Sequence, residues 1–300
     1  MPRQRLVIVG SGMAAARLLE ELSARGGTSV FQIAVFGEEP SPSYDRSQLA
    51  DVMNGARSVA QVLHLAPGWY AEHGIRLHLG ERAVLVSRQA RTVYGSAGTE
   101  ERYDLVVFAT GSSPHFPPIR QLFNASGKRL PGVCDFRTLA DCTQIMALTS
   151  GARAVAILGG GPWGAEAARG LAGRVPRIYL VSSRIDALLG EERVNGLLLH
   201  DGTQLACDLV VVATGLIPNT WLAYQCGLSV ERGINVDHQL GSIDDRRVFA
   251  LGECAQRLGG GHSDAAEIRR QALVLAERLL LTASPGPQAG ARGWRAESAS

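Results

Sequence analysis

Largely apolar runs recur along this chain. They fall at Leu6-Val7-Ile8-Val9, at Phe31 to Phe36, at Leu105-Val106-Val107-Phe108, at Ala154-Val155-Ala156-Ile157-Leu158, at Arg177 to Val181 and at Leu209-Val210-Val211-Val212. Short runs bounded by turn residues predict strands buried on both faces, as in a parallel sheet with helices on either side. A different pattern, apolar and polar in alternation, marks Ile75-Arg76-Leu77-His78-Leu79 as a half-covered strand. Ala83 to Val86 continues into another, and a turn at Gly95 to Gly98 separates the arms of a small hairpin. Helices are expected over Ala14 to Leu22, up to the segment 69–74, over Asp135 to Leu148, and from an Asp264-x-x-Glu267 capping box to Leu281. The tail from Thr282 is poor in apolar residues and is expected to be disordered.

One order of elements occurs twice. The first run enters Gly10-x-Gly12-x-x-Ala15 and a helix; the run at 154–158 enters Gly159-x-Gly161-x-x-Gly164 and a helix. The first glycine permits a tight strand-to-helix turn, the second lets backbone approach a diphosphate, and the third small residue lets helix pack on strand. Each copy is followed by a buried strand ending in Ala-Thr-Gly, at Ala109-Thr110-Gly111 and at Ala213-Thr214-Gly215. This internal duplication is far more specific than either turn alone and predicts an α/β chain with two Rossmann-like dinucleotide-binding folds. After the second strand, Gly37-Glu38-Glu39-Pro40 places an acid where a ribose hydroxyl pair is held, about 20 residues past the turn.

Composition narrows the chemistry. A net charge of +2 over 300 residues argues against a nucleic-acid or membrane-surface role. Lys128 is the single lysine, so Schiff-base chemistry is nearly excluded. Cys134, Cys142, Cys207, Cys226 and Cys254 are odd in number and form no C-x-x-C pair. They point to a reducing, cytoplasmic setting without a metal cluster. The apolar run after the basic start is too short for a signal-peptide core or a membrane span. No histidine shows ligand spacing, and metal ligands are not expected.

The chain resembles the two-dinucleotide-domain flavoproteins of the pyridine nucleotide–disulfide reductase superfamily. Within it, the likeness is to the flavin-binding N-terminal part of bacterial NAD(P)H nitrite reductase large subunits, then to rubredoxin and ferredoxin reductases. It runs over about residues 5–281 and is carried by Val35-Phe36-Gly37-Glu38-Glu39-Pro40, Tyr44-Asp45-Arg46, Ala109-Thr110-Gly111-Ser112, Phe136-Arg137-Thr138, Ala213-Thr214-Gly215-Leu216-Ile217-Pro218-Asn219 and Leu251-Gly252-Glu253-Cys254-Ala255. The resemblance implies a second fold inserted in the first: residues 1–120 and 228–281 binding FAD, 121–227 a truncated NAD(P) fold, and 282–300 a tail. It places the FAD diphosphate on Gly10, Gly12 and Ala15, the ribose at Glu38 or Glu39, and the adenine near Ala83. Arg46, Thr110 and Gly111 would line the cofactor, and Gly252-Glu253 would hold its ribityl or phosphate region. NADH or NADPH would dock on Gly159, Gly161 and Gly164, with Glu166 near the nicotinamide.

Two departures qualify that likeness. After Val181-Ser182-Ser183-Arg184 the chain passes at once to Ile185, where the family holds a further helix and strand. The shortfall is on the order of 30 residues, about one βαβ unit. Ser182-Ser183 also stand where an acid would hold the NAD ribose. The family's dithiol is missing, as in its nitrite and rubredoxin branch. So is the lysine often found beyond the Tyr-x-Arg segment, where Asp51 falls. Cys254 reads as a small buried residue more readily than as a redox thiol, since no resolving cysteine is near. Trp163 either fills part of a shrunken pocket or stacks as a gate. Two readings stay open: an FAD-dependent oxidoreductase carrying electrons from NAD(P)H to a separate acceptor protein, or an FAD-binding relay subunit that no longer takes NAD(P)H. Without the superfamily's C-terminal dimerisation domain, a monomer or hetero-complex is expected.

Overall fold

The computed structural model describes residues 3–124, 126–257 and 265–283. Strand β1 (Gln4–Val9) turns into helix α1 (Met13–Ala24) and returns as β2 (Phe31–Gly37), parallel to β1 with Val7 opposite Ala34. Helix α2 (Leu49–Asn54) leads towards β3 (Arg76–Leu79), which extends the sheet beyond β2. An antiparallel meander follows: β4 (Ala83–Ser87), β5 (Thr92–Gly95) and β6 (Glu100–Arg102). Then β7 (Leu105–Phe108) enters the sheet on the other flank of β1, and β8 (Ser112–Pro114) leaves it.

The same course is then repeated. After β9 (Val133–Asp135) and α3 (Leu139–Thr149) come β10 (Ala154–Leu158), α4 (Pro162–Leu171) and β11 (Arg177–Val181). A meander follows of β12 (Ile185–Leu189), β13 (Gly196–Leu199) and β14 (Gln204–Ala206), and then β15 (Leu209–Val212), β16 (Leu216–Pro218) and α5 (Trp221–Gln225). The chain closes through β17 (Ile234–Val236), β18 (Val248–Ala250), β19 (Ala255–Arg257) and α6 (Ala265–Ala283). Because α6 reaches Ala283, Thr282 belongs to it and not to the tail. Residues from 284 on, and Asp264 of the expected capping box, lie outside the described residues.

The first sheet has the order β18-β7-β1-β2-β3 and the second β11-β10-β15-β9. Strand for strand they correspond, except that β3 has no counterpart among the described residues. Residues 38–82 intervene between β2 and its meander, but only 182–184 between β11 and its own. The central strands are apolar over Leu6–Val9, Leu105–Phe108, Ala154–Leu158 and Leu209–Val212 because both their faces are covered. Leu18 and Leu22 of α1 and Leu275 and Leu279 of α6 share one core with β1, β2 and β7. In the second sheet Ile157 faces Met53, Ile145 and Leu171 from α2, α3 and α4, while Leu158 faces Leu188 and Leu197 of the meander. Side chains of this size contribute about 1.5–3 kcal/mol each on burial. An antiparallel pair, β8 with β16, joins the two copies. No helix among the described residues is long and apolar enough to cross a membrane.

Candidate functional site

Gly10 turns with φ +109°, and a Cβ there would lie 2.2 Å from the Ala109 carbonyl oxygen. Gly159 repeats this with φ +120° and 2.3 Å to the Ala213 carbonyl oxygen. Only glycine fits either position. Gly12 and Gly161 serve the other purpose: a Cβ at either meets nothing within 4 Å. They are the N-caps of α1 and α4, with no side-chain cap and no acid in the first turn. Helix-start amides and the positive end of the dipole are thus left for an anion. Ala15 is buried on the inner face of α1, and Gly164 sits where a Cβ would be 1.8 Å from the Gly159 oxygen, so both serve packing.

A cleft of about 1180 Å³ opens at the C-terminal ends of β1, β2 and β7. That exceeds the roughly 300–1,000 Å³ of drug-sized ligand sites and suits an extended dinucleotide. Gly10, Gly12, Thr110 and Gly111 line its middle, and Glu38, Glu39, Arg46 and Ala83 line it further out. The exposed carboxylate of Glu38 has no hydrogen-bond partner among the described residues. Glu39 is engaged: Tyr44 Oη donates to it at 2.5 Å and Arg46 at 2.7 Å. Backbone bonds from Gly80 to Glu39 (3.0 Å) and from Glu81 to Gly37 (2.9 Å) bring Ala83 beside this turn.

On the β7 side the wall is built by Arg137, which is 6% exposed. Its guanidinium donates to Ser112 Oγ at 3.1 Å and to Glu253, and lies 5.4 Å from the Trp163 ring. Arg46 donates to the Arg137 carbonyl at 2.6 Å. Burial pulls the Arg137 pKa below its ordinary value, against the opposing pull of Glu253. Its Nε is buried and has no protein partner. Glu253 also accepts from Ser112 at 2.7 Å, while Gly252 packs behind the cleft against Ala14. Cys254 is wholly buried, which pushes its thiol upward, in keeping with a packing residue.

The residues expected to take NAD(P)H lie elsewhere. Gly159, Gly161, Gly164 and Glu166 are not part of the cleft wall. Glu166 lies on α4 and accepts from Arg169 at 2.6 Å; Arg169 reaches on to Asp51 of α2. The cleft is lined by Gly10, Gly12, Glu38, Glu39, Arg46, Ala83, Thr110 and Gly111 of the first group of sequence-identified residues; Ala15, Gly252 and Glu253 lie outside its lining, as does the whole second group. Arg137, Ser112 and the rim aromatics Trp221 and Tyr224, stacked 5.8 Å apart, were not marked as site residues by the sequence. Ser112 and Arg137 stood in the motifs Ala109-Thr110-Gly111-Ser112 and Phe136-Arg137-Thr138, without a role.

Two glycine turns, each opening an uncapped helix beneath a parallel sheet, define a duplicated dinucleotide-fold protein. The pyridine nucleotide-disulphide oxidoreductase family matches residues 4–195 and 179–272, and the chain belongs to it. The overlap of the two matched stretches falls at the shortened interval. The chain is 32% identical over 311 residues to the nitrite reductase [NAD(P)H] of Bacillus subtilis, covering 93% of this chain and 38% of that protein. It is 31% identical to the assimilatory nitrate reductase electron transfer subunit of the same organism, over 93% of this chain and 39% of that protein. It thus spans less than half the length of these relatives. A ferredoxin reductase structure from Rhodopseudomonas palustris has the same fold, with a TM-score of 0.81 at 24% identity over 92% of this chain and 76% of that one.

Proposed function

We propose that the chain binds FAD in the cleft and NADH or NADPH at the second glycine turn, and hands electrons to a separate acceptor protein. The observation that carries this is the cleft itself: open space at Gly12, uncapped amides at α1, an unengaged Glu38, and the orphan Nε of Arg137. These residues fit a flavin dinucleotide. In this reading Gly10, Gly12 and α1 hold the diphosphate. Glu38 takes the ribose rather than Glu39, whose carboxylate is committed to Tyr44 and Arg46. Thr110 and Gly111 line the cofactor, and Glu253, bound to Ser112 and Arg137, stands at its ribityl or phosphate region. When bound, FAD supplies hydride acceptance and release of electrons one or two at a time. The second turn fits a diphosphate through Gly161 and α4, though Ser182-Ser183 offer no carboxylate to a ribose.

Residues 1–120 with 228–281 would be the FAD unit and 121–227 the nicotinamide unit. The acceptor is of the nitrite reductase or rubredoxin type, by analogy with the relatives, and the setting is the reducing cytoplasm. The shorter second copy favours one alternative, an FAD-binding relay subunit without NAD(P)H oxidation. Anaerobic titration of the FAD-reconstituted chain with NADH and with NADPH decides. Bleaching of flavin absorbance supports the oxidoreductase; a yellow protein that does not bleach supports the relay. Failure to take up FAD overturns both.

A further inference from the structure

We infer that Trp221 and Tyr224 form an aromatic shelf on which the adenine of the cleft's dinucleotide stacks; this rests on the flavin reading above. The two side chains stand three residues apart on α5 and share one face of it. Their rings are stacked, with 5.8 Å between centroids and 27° between planes. They are 68% and 62% exposed and belong to no core among the described residues, yet both line the cleft. The rest of α5 pins the helix that carries them. Leu222 and Ala223 pack into the first core. Ahead of the helix, Asn219 Nδ2 donates to the Thr110 carbonyl at 2.9 Å. Behind it, Arg88 donates to the Gly227 carbonyl at 3.0 Å.

Topology assigns the shelf to one side of the cleft. Helix α5 packs against β4, and β4 follows β3, the strand outside β2. Arg82, Ala83 and Val84 line the cleft where β4 begins, and Val84 is itself 40% exposed. Glu38 directly follows β2, on this same side of β1. A carboxylate there takes a ribose, and the base on that ribose points outward, to where β4 and α5 meet. The other flat ring of the cofactor lies beyond the diphosphate at Gly10–Gly12, so the purine is the ring that stacks. It covers apolar surface that water otherwise meets, and every base offers a π-face to an aromatic side chain.

The test compares the parent with the double variants Trp221→Ala/Tyr224→Ala and Trp221→Phe/Tyr224→Phe, each as the full chain. FAD affinity is read by flavin fluorescence, adenine recognition by the concentration of ADP that displaces FAD, and folding by thermal melts without flavin. The alanine pair is expected to weaken both FAD and ADP at least about fivefold, the low end for one base–aromatic stack, with melting unchanged. The phenylalanine pair keeps most of both affinities, because its rings still stack. A loss below about fivefold for either ligand in the alanine pair overturns the inference. So does ADP that fails to displace FAD from the parent; the rings then serve another occupant, such as a partner protein. Should the alanine pair not fold, Trp221→Ala alone decides by the same threshold. A parent chain that takes up no FAD overturns the flavin reading itself.

Discussion

Thr110 and Thr214 each hold the other copy's strand end. Thr110 Oγ1 donates to the Asn219 carbonyl at 2.6 Å, and Thr214 Oγ1 donates to the His115 carbonyl at 2.6 Å. The backbone repeats the exchange, with Asn219 N to Gly111 O and His115 N to Gly215 O both at 2.9 Å. The seam between the copies therefore has near two-fold symmetry, although Thr110 borders the cleft and Thr214 is exposed. Thr214→Val should cost about 0.5 kcal/mol, the low end for a hydrogen bond near solvent. Urea denaturation measures this, and FAD uptake should stay unchanged.

The two glycines of the first turn fail differently. Gly10→Ala forces a Cβ against the Ala109 carbonyl at a strained φ, so both folding stability and FAD uptake should fall. Gly12→Ala meets nothing in the protein, so thermal stability without flavin should be retained. FAD affinity should drop at least about tenfold, because the methyl occupies the place of a phosphate. Thermal melts and flavin titration of the two variants separate these effects.

Thiol reagents should react poorly with the folded chain. Cys134, Cys142 and Cys207 are buried, and burial pushes each thiol up to about 12; Cys226 is raised to about 11. Thiolate is the reactive form, so at pH 8 labelling should be slow until denaturant is added. Fast labelling of Cys254 in native protein would restore the redox-thiol reading.

Asp104 and Asp208 stand at equivalent places before β7 and β15. The Arg5 side chain holds Asp104 below the usual carboxylate range, and the backbone amides of Arg153 and then Ala154 do the same for Asp208. A depressed folded pKa gives stability that is full above the unfolded value of about 3.9 and fades as pH falls through the folded one. Asp104→Asn and Asp208→Asn should therefore lower the urea midpoint at pH 7, and the gap to the parent should narrow below about pH 3.

What the sequence made legible is what physics forces on residue type. A turn with φ near +110° demands glycine, so Gly10 and Gly159 were visible, and strands covered on both faces demand apolar runs, so β1, β2, β7, β10 and β15 were visible. The short strand β9 was missed because Val133–Asp135 is only three residues long and follows a Pro- and Gly-bearing connector. The second meander was not read, since β13 and β14 gain stability from pairing rather than from a pattern of their own. Arg137 could not be read as a site residue at all. Its partner Glu253 is 116 positions away, and nothing local distinguishes a buried arginine from a solvated one. Glu166 was placed by likeness, which did not foresee that Arg169 engages it.

In the first sheet β3 lies outside β2. In the second, β11 pairs with β10 alone among the described residues, and Leu180 is left 48% exposed. A nicotinamide nucleotide lying past Gly161 would thus have a floor beneath its adenosine but no wall beside it. Ser182 and Ser183 would neither grip a bare 2′-hydroxyl nor repel a 2′-phosphate. A dehydrogenase so built would accept both reduced coenzymes with similar, modest affinity.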